Sequence, residues 1–240
     1  MKNLNFILAI TLGSMSPFAL ASENYIPSLY NFSVMYDFNP IKGKVKELNT
    51  HIINKVKDLD YNMKIKLSSD GCIESFERTG KYEFGDIHLV RNGRVLTDTS
   101  NNDPINFNLD EHCNIIARTD KYGRSEYKLN EDGYIIESTL NGQPFSAHKF
   151  NDNGSLVFGE YFMYGGTISS YEISYSDETS RPFDAEVKSK QLDGGDYYAK
   201  SSCEYEDRHI PVRCTSLVKE TKDGVVKESE NIAYTDVMFY

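Results

Sequence analysis

The sequence predicts an all-β protein, a single domain built as a long antiparallel meander of hairpin repeats with little helix. Three observations predict it. A short unit recurs: "KLSSDGCIES", "NLDEHCNIIA", "KLNEDGYIIE" and "KFNDNGSLVF" each place an apolar anchor (Leu67, Leu109, Leu129, Phe150) before a cluster of turn formers, and apolar residues then resume. Between the units the chain alternates, as in "NMKIKL" and "SSYEISY", which puts every second side chain on a buried face. The composition, with 17 Tyr and 13 Phe, suits a half-buried pleat.

The first element is a leader. Lys2 supplies a positive start, Phe6 to Met15 is an apolar stretch too short to span a bilayer, and Ala19-Leu20-Ala21 has the small-x-small form of a cleavage site. Residues 1–21 are expected to be a secretory signal peptide, with the mature chain starting at Ser22 and residues 22–240 forming one domain. No later segment has the run of about 18 apolar residues that a membrane helix needs. A soluble protein of the periplasm or the medium is the expectation.

Val45 to Leu59 is the ambiguous element. Leu48, Ile52 and Val56 would share one helical face, but the segment also reads as two strands, and strands are favoured. Next comes "VRNGRV", where Asn92-Gly93 is the strongest short hairpin signal, because both residues tolerate positive φ. In the repeated units Gly71, Gly133 and Gly154 are placed for the left-handed conformation, and Asp70, Asp152 and Asn151 for side-chain bonds to backbone amides two residues on. Looser copies of the unit surround Tyr175 and Tyr205. A calcium loop would need spaced oxygens and a bidentate Glu at its twelfth position. These units offer two or three oxygens each and no Glu at that spacing, so they read as corners of the meander, and no metal or cofactor is expected.

Four cysteines lie beyond the leader, and an even number in an exported chain reads as a disulfide framework. In "SCEYEDRHIPVRC", Cys203 and Cys214 are equally far from a turn centred between Arg208 and His209, so they face each other across a hairpin. Cys72 and Cys113 each follow a corner and are expected at one end of the sheet. The pairing expected is Cys72–Cys113 and Cys203–Cys214. A net charge of −10 repels phosphate backbones, which excludes nucleic acid as a partner.

Motifs for chemistry are sparse. His51, His88, His112, His148 and His209 are scattered, with no metal-ligand spacing, and read as surface or turn residues. The carboxylate pairs Asp58/Asp60, Asp110/Glu111 and Glu204/Glu206 read as solvated faces, since a glycosidase needs two carboxylates facing each other across a gap. "GEYFMYGG" is the most aromatic short stretch. Its Tyr161, Phe162 and Tyr164 read as core, or alternatively as an aromatic platform for a sugar or peptide.

"YDFNPIKGKVKEL" (Tyr36 to Leu48), "LSSDGCIES", the "SCEYEDRHIPVRC" hairpin and the aromatic C-terminus are similar to the YnfC-type family of uncharacterised enterobacterial lipoproteins. The resemblance implies an envelope address and no assigned activity. Residues 1–30 hold no Cys to carry a lipid, so cleavage to an unanchored form is expected. The function expected is a non-enzymatic binding or structural protein of the envelope, its partner an unidentified envelope protein or glycan. The alternatives are an immunity- or chaperone-like module that engages a protein through a sheet edge or aromatic patch, and a carboxylate-dependent envelope hydrolase.

Overall fold

The computed structural model describes residues 24–82, 85–100, 104–192, 194–206 and 209–240. Ala19, Ala21 and Ser22, the expected cleavage site, lie outside them. One helix, α1 (Pro27–Tyr36), precedes sixteen strands: β1 (Val45–Asn54), β2 (Leu59–Leu67), β3 (Ile73–Lys81), β4 (Ile87–Asn92), β5 (Val95–Asp98), β6 (Asn106–Leu109), β7 (Ile115–Asp120), β8 (Gly123–Leu129), β9 (Ile135–Leu140), β10 (Gln143–Phe150), β11 (Leu156–Met163), β12 (Gly166–Asp177), β13 (Arg181–Gln191), β14 (Asp196–Glu206), β15 (Ile210–Lys222) and β16 (Val225–Phe239). Each strand pairs antiparallel with the next, and β16 pairs back onto β1, from Val45↔Phe239 to Ile53↔Ile232, to close a barrel. Closure leaves no strand edge for another chain to extend. The ambiguous segment Val45 to Leu59 forms β1 and the turn into β2.

Alternation sorts the wall. On β1 and β2, Leu48, Ile52, Tyr61, Met63, Ile65 and Leu67 point inward and are buried. Outward positions carry charge, tied by cross-strand pairs such as Lys64–Glu47 (2.9 Å), Lys128–Glu137 (3.0 Å), Lys200–Glu186 (3.0 Å) and Lys219–Glu228 (2.7 Å). A lipid-facing barrel wall has an apolar band at these positions, and charge there costs several kcal/mol. Here such positions carry these charge pairs.

A sixteen-stranded barrel is wide enough to leave an aqueous lumen. Here α1 fills part of it. The helix enters from the end that carries the repeated corners, and six successive residues, Ser28 to Ser33, are buried. Leu29 and Phe32 are fully enclosed among Phe76, Leu89, Leu96 and Phe107 of the short strands β3–β6. Phe32 meets Phe76 edge-on at 5.2 Å and lies 5.3 Å from Phe107. No helix was expected here. "PSLYNFSVMY" lacks a polar face, an acidic first turn and a capping side chain, because a helix buried all round shows no amphipathic period.

The repeated corners are what hold the helix. Ser28 Oγ donates to the Gly71 carbonyl at 2.8 Å, and Asn31 bonds both the Gly133 carbonyl (2.9 Å) and the Ile135 N–H (3.0 Å). The Leu156 N–H donates to Tyr30 Oη at 3.0 Å. A Cβ on Gly133 would lie 3.0 Å from Pro27, so this glycine serves both its φ of 83° and the approach of the helix. Within each corner, the residue directly after the apolar anchor does the bonding: Asp110, Asn130 and Asn151 each accept the amides two and four residues on. Asn151 was expected in this role. Asp70 and Asp152 were also expected, one or two positions too late. In the first unit the role falls to Ser68, whose Oγ accepts the Cys72 N–H at 3.2 Å.

The hairpin at "VRNGRV" also turns one residue later than expected. Asn92 pairs with Val95, so Gly93 and Arg94 form the turn, with positive φ at Gly93 alone. That pattern is a type II′ turn. Positive φ at both central residues, the type I′ pattern, occurs instead at Asn141-Gly142, Tyr164-Gly165 and Asp223-Gly224. Disulfides join Cys72 to Cys113 (Cα–Cα 5.2 Å) and Cys203 to Cys214 (4.1 Å), the second between directly opposed residues of β14 and β15.

Candidate functional site

After α1 the chain reverses at Asp37 and returns through Phe38 and Asn39 to β1. Asp37 takes the left-handed conformation (φ 59°, ψ 56°), and its N–H closes the helix on the Ser33 carbonyl. This reversal lies inside the barrel. Above it is a cavity of about 860 Å3 that runs to the end opposite the repeated corners. Asp37, Phe38 and Asn39 form its floor. Tyr61, Tyr197, Ser201, Ser216 and Asn231 line the wall, and Lys57, Asp58, Lys81 and Tyr82 stand at the mouth.

The long strands explain why the cavity exists. β14 and β15 turn Tyr197, Ala199 and Ser201 inward, opposite Glu220, Val218 and Ser216. The small side chains of Ala199, Ser201 and Ser216 leave the lumen unfilled, whereas β1–β7 fill their side with Leu, Ile, Met and Phe. The wall hydroxyls and amides pair laterally: Ser201 Oγ to Ser216 Oγ at 2.7 Å, and Asn54 Nδ2 to Asn231 Oδ1 at 2.5 Å. Charges at the mouth are also paired. Lys57 Nζ reaches Glu220 at 2.6 Å, and Lys81 bonds Asp58.

Asp37 differs from these groups. Its side chain is open to water, yet the barrel surrounds it, because that water is the water of the cavity. Burial among the strands pushes its carboxyl above the usual carboxylate range. A second, smaller cavity of about 260 Å3 lies on the other side of α1, lined by Arg118, Ser138, Ser146, His148 and Tyr161. His148 was expected on the surface or in a turn. It sits here with Nε2 buried and unpartnered, and burial pushes its pKa down.

The aromatic trio is divided. The Tyr161 ring lies inside the barrel, 5.9 Å from Phe145 and 6.2 Å from Tyr171. Phe162 is half-buried beside a register shift in β11, and Tyr164 is fully exposed at the following turn. Val56, Tyr122, Leu192 and Val225, at other turns of the mouth end, are exposed as well. Glu204 is on the outer wall, paired with Arg213 at 2.8 Å. Among the described residues no cluster of three His, Cys, Asp or Glu side chains could hold a metal ion. No helix of the described residues is long and apolar enough to cross a membrane.

The cavity has almost no signature in the sequence. Its wall comes from β1, β2 and β13–β16, which are distant in sequence and have no shared motif. Only Asp37 had a local signal, as the first turn former after the apolar run "LYNFSVMY".

Among solved structures, the chain is similar to a porin-like protein from Bacteroides uniformis, with a TM-score of 0.46 and 10% identity over 81% of this chain and 98% of that one. MucB in complex with the periplasmic part of MucA matches with a TM-score of 0.15 at 10% identity, over 80% and 88%. Two relatives named UPF0257 lipoprotein YnfC match over most of their length. That of Salmonella typhi is 20% identical over 97% of this chain and 94% of its own, and that of Escherichia coli O81 (strain ED1a) 21% identical over 87% and 86%. The model of the uncharacterised protein family UPF0257 matches residues 2–240, and the chain belongs to that family.

Proposed function

We propose that this protein is exported to the cell envelope and acts there by binding a small polar molecule in the cavity above Asp37, without catalysing its conversion. The observation that carries the reading is the cavity itself. Its volume of about 860 Å3 falls within the range of ligand pockets, roughly 300–1,000 Å3, and its lining sets aromatic faces among many polar groups, as a polar ligand requires. A hydrolytic site of the two-carboxylate kind has less support. At the cavity mouth Asp58 is bonded to Lys81 and Glu220 to Lys57, which among the described residues leaves Asp37 without a second free carboxylate facing it. The closed sheet offers a protein partner no edge to extend.

The envelope address draws support from the leader at residues 1–21 and from relatives named as lipoproteins. Cleavage after Ala21, to a chain starting at Ser22, is the expected processing. Native mass spectrometry of protein released from the periplasm tests both parts. The expected spectrum shows a chain starting at Ser22 with a noncovalent small-molecule adduct lost on denaturation. An intact Met1 would overturn the address. Absence of any adduct, together with no binding from periplasmic small-molecule extracts, would overturn the binding role.

A further inference from the structure

Asp37 stands where the fold tolerates a carboxylate poorly. A left-handed helix end is satisfied by Gly or Asn without charge. An ionised group surrounded by protein is costly unless a counter-charge meets it. Among the described residues none does. The two lysines of the cavity are already engaged, Lys57 with Glu220 and Lys81 with Asp58. Arg78 does not line the cavity; its guanidinium lies 3.9 Å over the Tyr82 ring and donates to the Gly85 carbonyl at 3.3 Å. The fold thus places one uncompensated negative charge at the bottom of a water-filled cup.

What surrounds that charge narrows the complement. Tyr61, Tyr82, Tyr197, Phe38 and Phe183 all line the same cavity, and the Tyr61 and Tyr82 rings pack at 4.7 Å. Aromatic faces attract cations through their quadrupole, more strongly when water is excluded. A bare divalent metal fits badly, since it would need several more oxygen ligands than one carboxylate and the cavity is far larger than an ion. The hydroxyls and amides of Ser201, Ser216, Asn39 and Asn231 offer acceptors for the remaining donors of a larger molecule. The chain's net charge of −10 favours the approach of a cation.

We infer that the cup takes a small organic ammonium compound, its charged nitrogen against the Asp37 carboxylate and its body against the aromatic wall. The inference rests on the reading of the cup as a ligand site, and it goes further by fixing the sign of the ligand's charge and the residue that receives it. Neutral sugars would use the same rings and hydroxyls without needing the carboxylate, and they are the natural contrast.

Calorimetry and thermal melts on the exported protein test it, with spermidine and choline as cationic probes, N-acetylglucosamine as the neutral probe and sodium chloride as the ionic-strength control. Asp37→Asn keeps a residue suited to the left-handed helix end and removes the charge. Ser216→Tyr fills the cup while leaving Asp37 in place. The expected result is saturable binding of at least one cationic probe, weakened at least tenfold in both variants, with both still melting cooperatively. Equal cation binding by wild type and Asp37→Asn would overturn the inference and leave the cup reading intact. So would binding of the sugar alone, abolished by Ser216→Tyr. No binding of either kind would overturn the inference, and the cup reading would then stand or fall on the adduct found by native mass spectrometry.

Discussion

Asn31 commits both atoms of its side-chain amide to one corner of the barrel: Nδ2 donates to the Gly133 carbonyl at 2.9 Å and Oδ1 accepts the Ile135 N–H at 3.0 Å, all buried. The helix is thus keyed to the repeated corners by hydrogen bonds as well as by packing. Asn31→Leu would leave a buried carbonyl and a buried N–H without partners, each costing about 1–3 kcal/mol. Urea denaturation should show a loss of roughly 2–4 kcal/mol with an unchanged slope. A loss below about 0.5 kcal/mol would mean that water replaces the amide and that the keying is dispensable.

Gly159 on β11 exists to admit a ring. A Cβ there would lie 2.3 Å from Tyr171 Cζ and 2.4 Å from its Oη, in the interior between β11 and β12. Gly159→Ala should destabilise by about 1–3 kcal/mol through overpacking. Removing the ring in the double variant Gly159→Ala/Tyr171→Ala should cost clearly less than the sum of the single changes, since the alanine methyl then has space. Additive losses would show that the backbone at Gly159, rather than the ring, imposes the glycine.

The disulfides close loops of unequal length. Their sequence separations of 41 and 11 give about 4 and about 3 kcal/mol in the chain-entropy account. Paired Ser replacements of Cys72/Cys113 should therefore cost more than those of Cys203/Cys214. The first bridge also joins the corner at Gly71, which holds Ser28, to the repeated corner between β6 and β7. Denaturant midpoints of the two double variants give the order, and a reversed order would place the larger share of stabilisation in local packing of the β14–β15 hairpin.

Much of this architecture is legible locally, because a strand, a corner and a hairpin are each specified within about ten residues. Alternation marks β2 in "NMKIKL", and the equal spacing about the turn puts Cys203 opposite Cys214. Closure is different. Nothing in "VKELNTHIIN" says that its partner is the last strand, since the pairing Ile52↔Ala233 depends on the cumulative twist of all the strands between. The helix escapes a periodicity reading because its polar residues point into the protein: Ser28, Tyr30 and Asn31 meet backbone groups of corners as far as 126 residues away in sequence. The cup is harder still to read, because a cavity is defined by side chains that are too small, and serines on β14 and β15 look like ordinary strand residues until the lumen is built.

Asp37 yields a last prediction, one that sets stability against binding. Its carboxyl is pushed up by burial, so the folded state holds its proton more tightly than the unfolded state does. Folding stability attributable to this group is therefore greatest in acid, where both states are protonated, and falls as pH rises from the ordinary carboxylate range through the raised value. Above that window the ionised group carries a cost, moderated by the water of the cavity that its side chain meets. Asp37→Asn removes the cost while keeping a residue that suits the left-handed helix end. Thermal melts without ligand should show the variant more stable than wild type at neutral pH, with the difference shrinking to nothing as pH falls below the ordinary carboxylate range. A variant less stable than wild type at neutral pH would mean that the ionised carboxylate already has a partner in the folded protein, and would remove the reason to expect a cationic ligand.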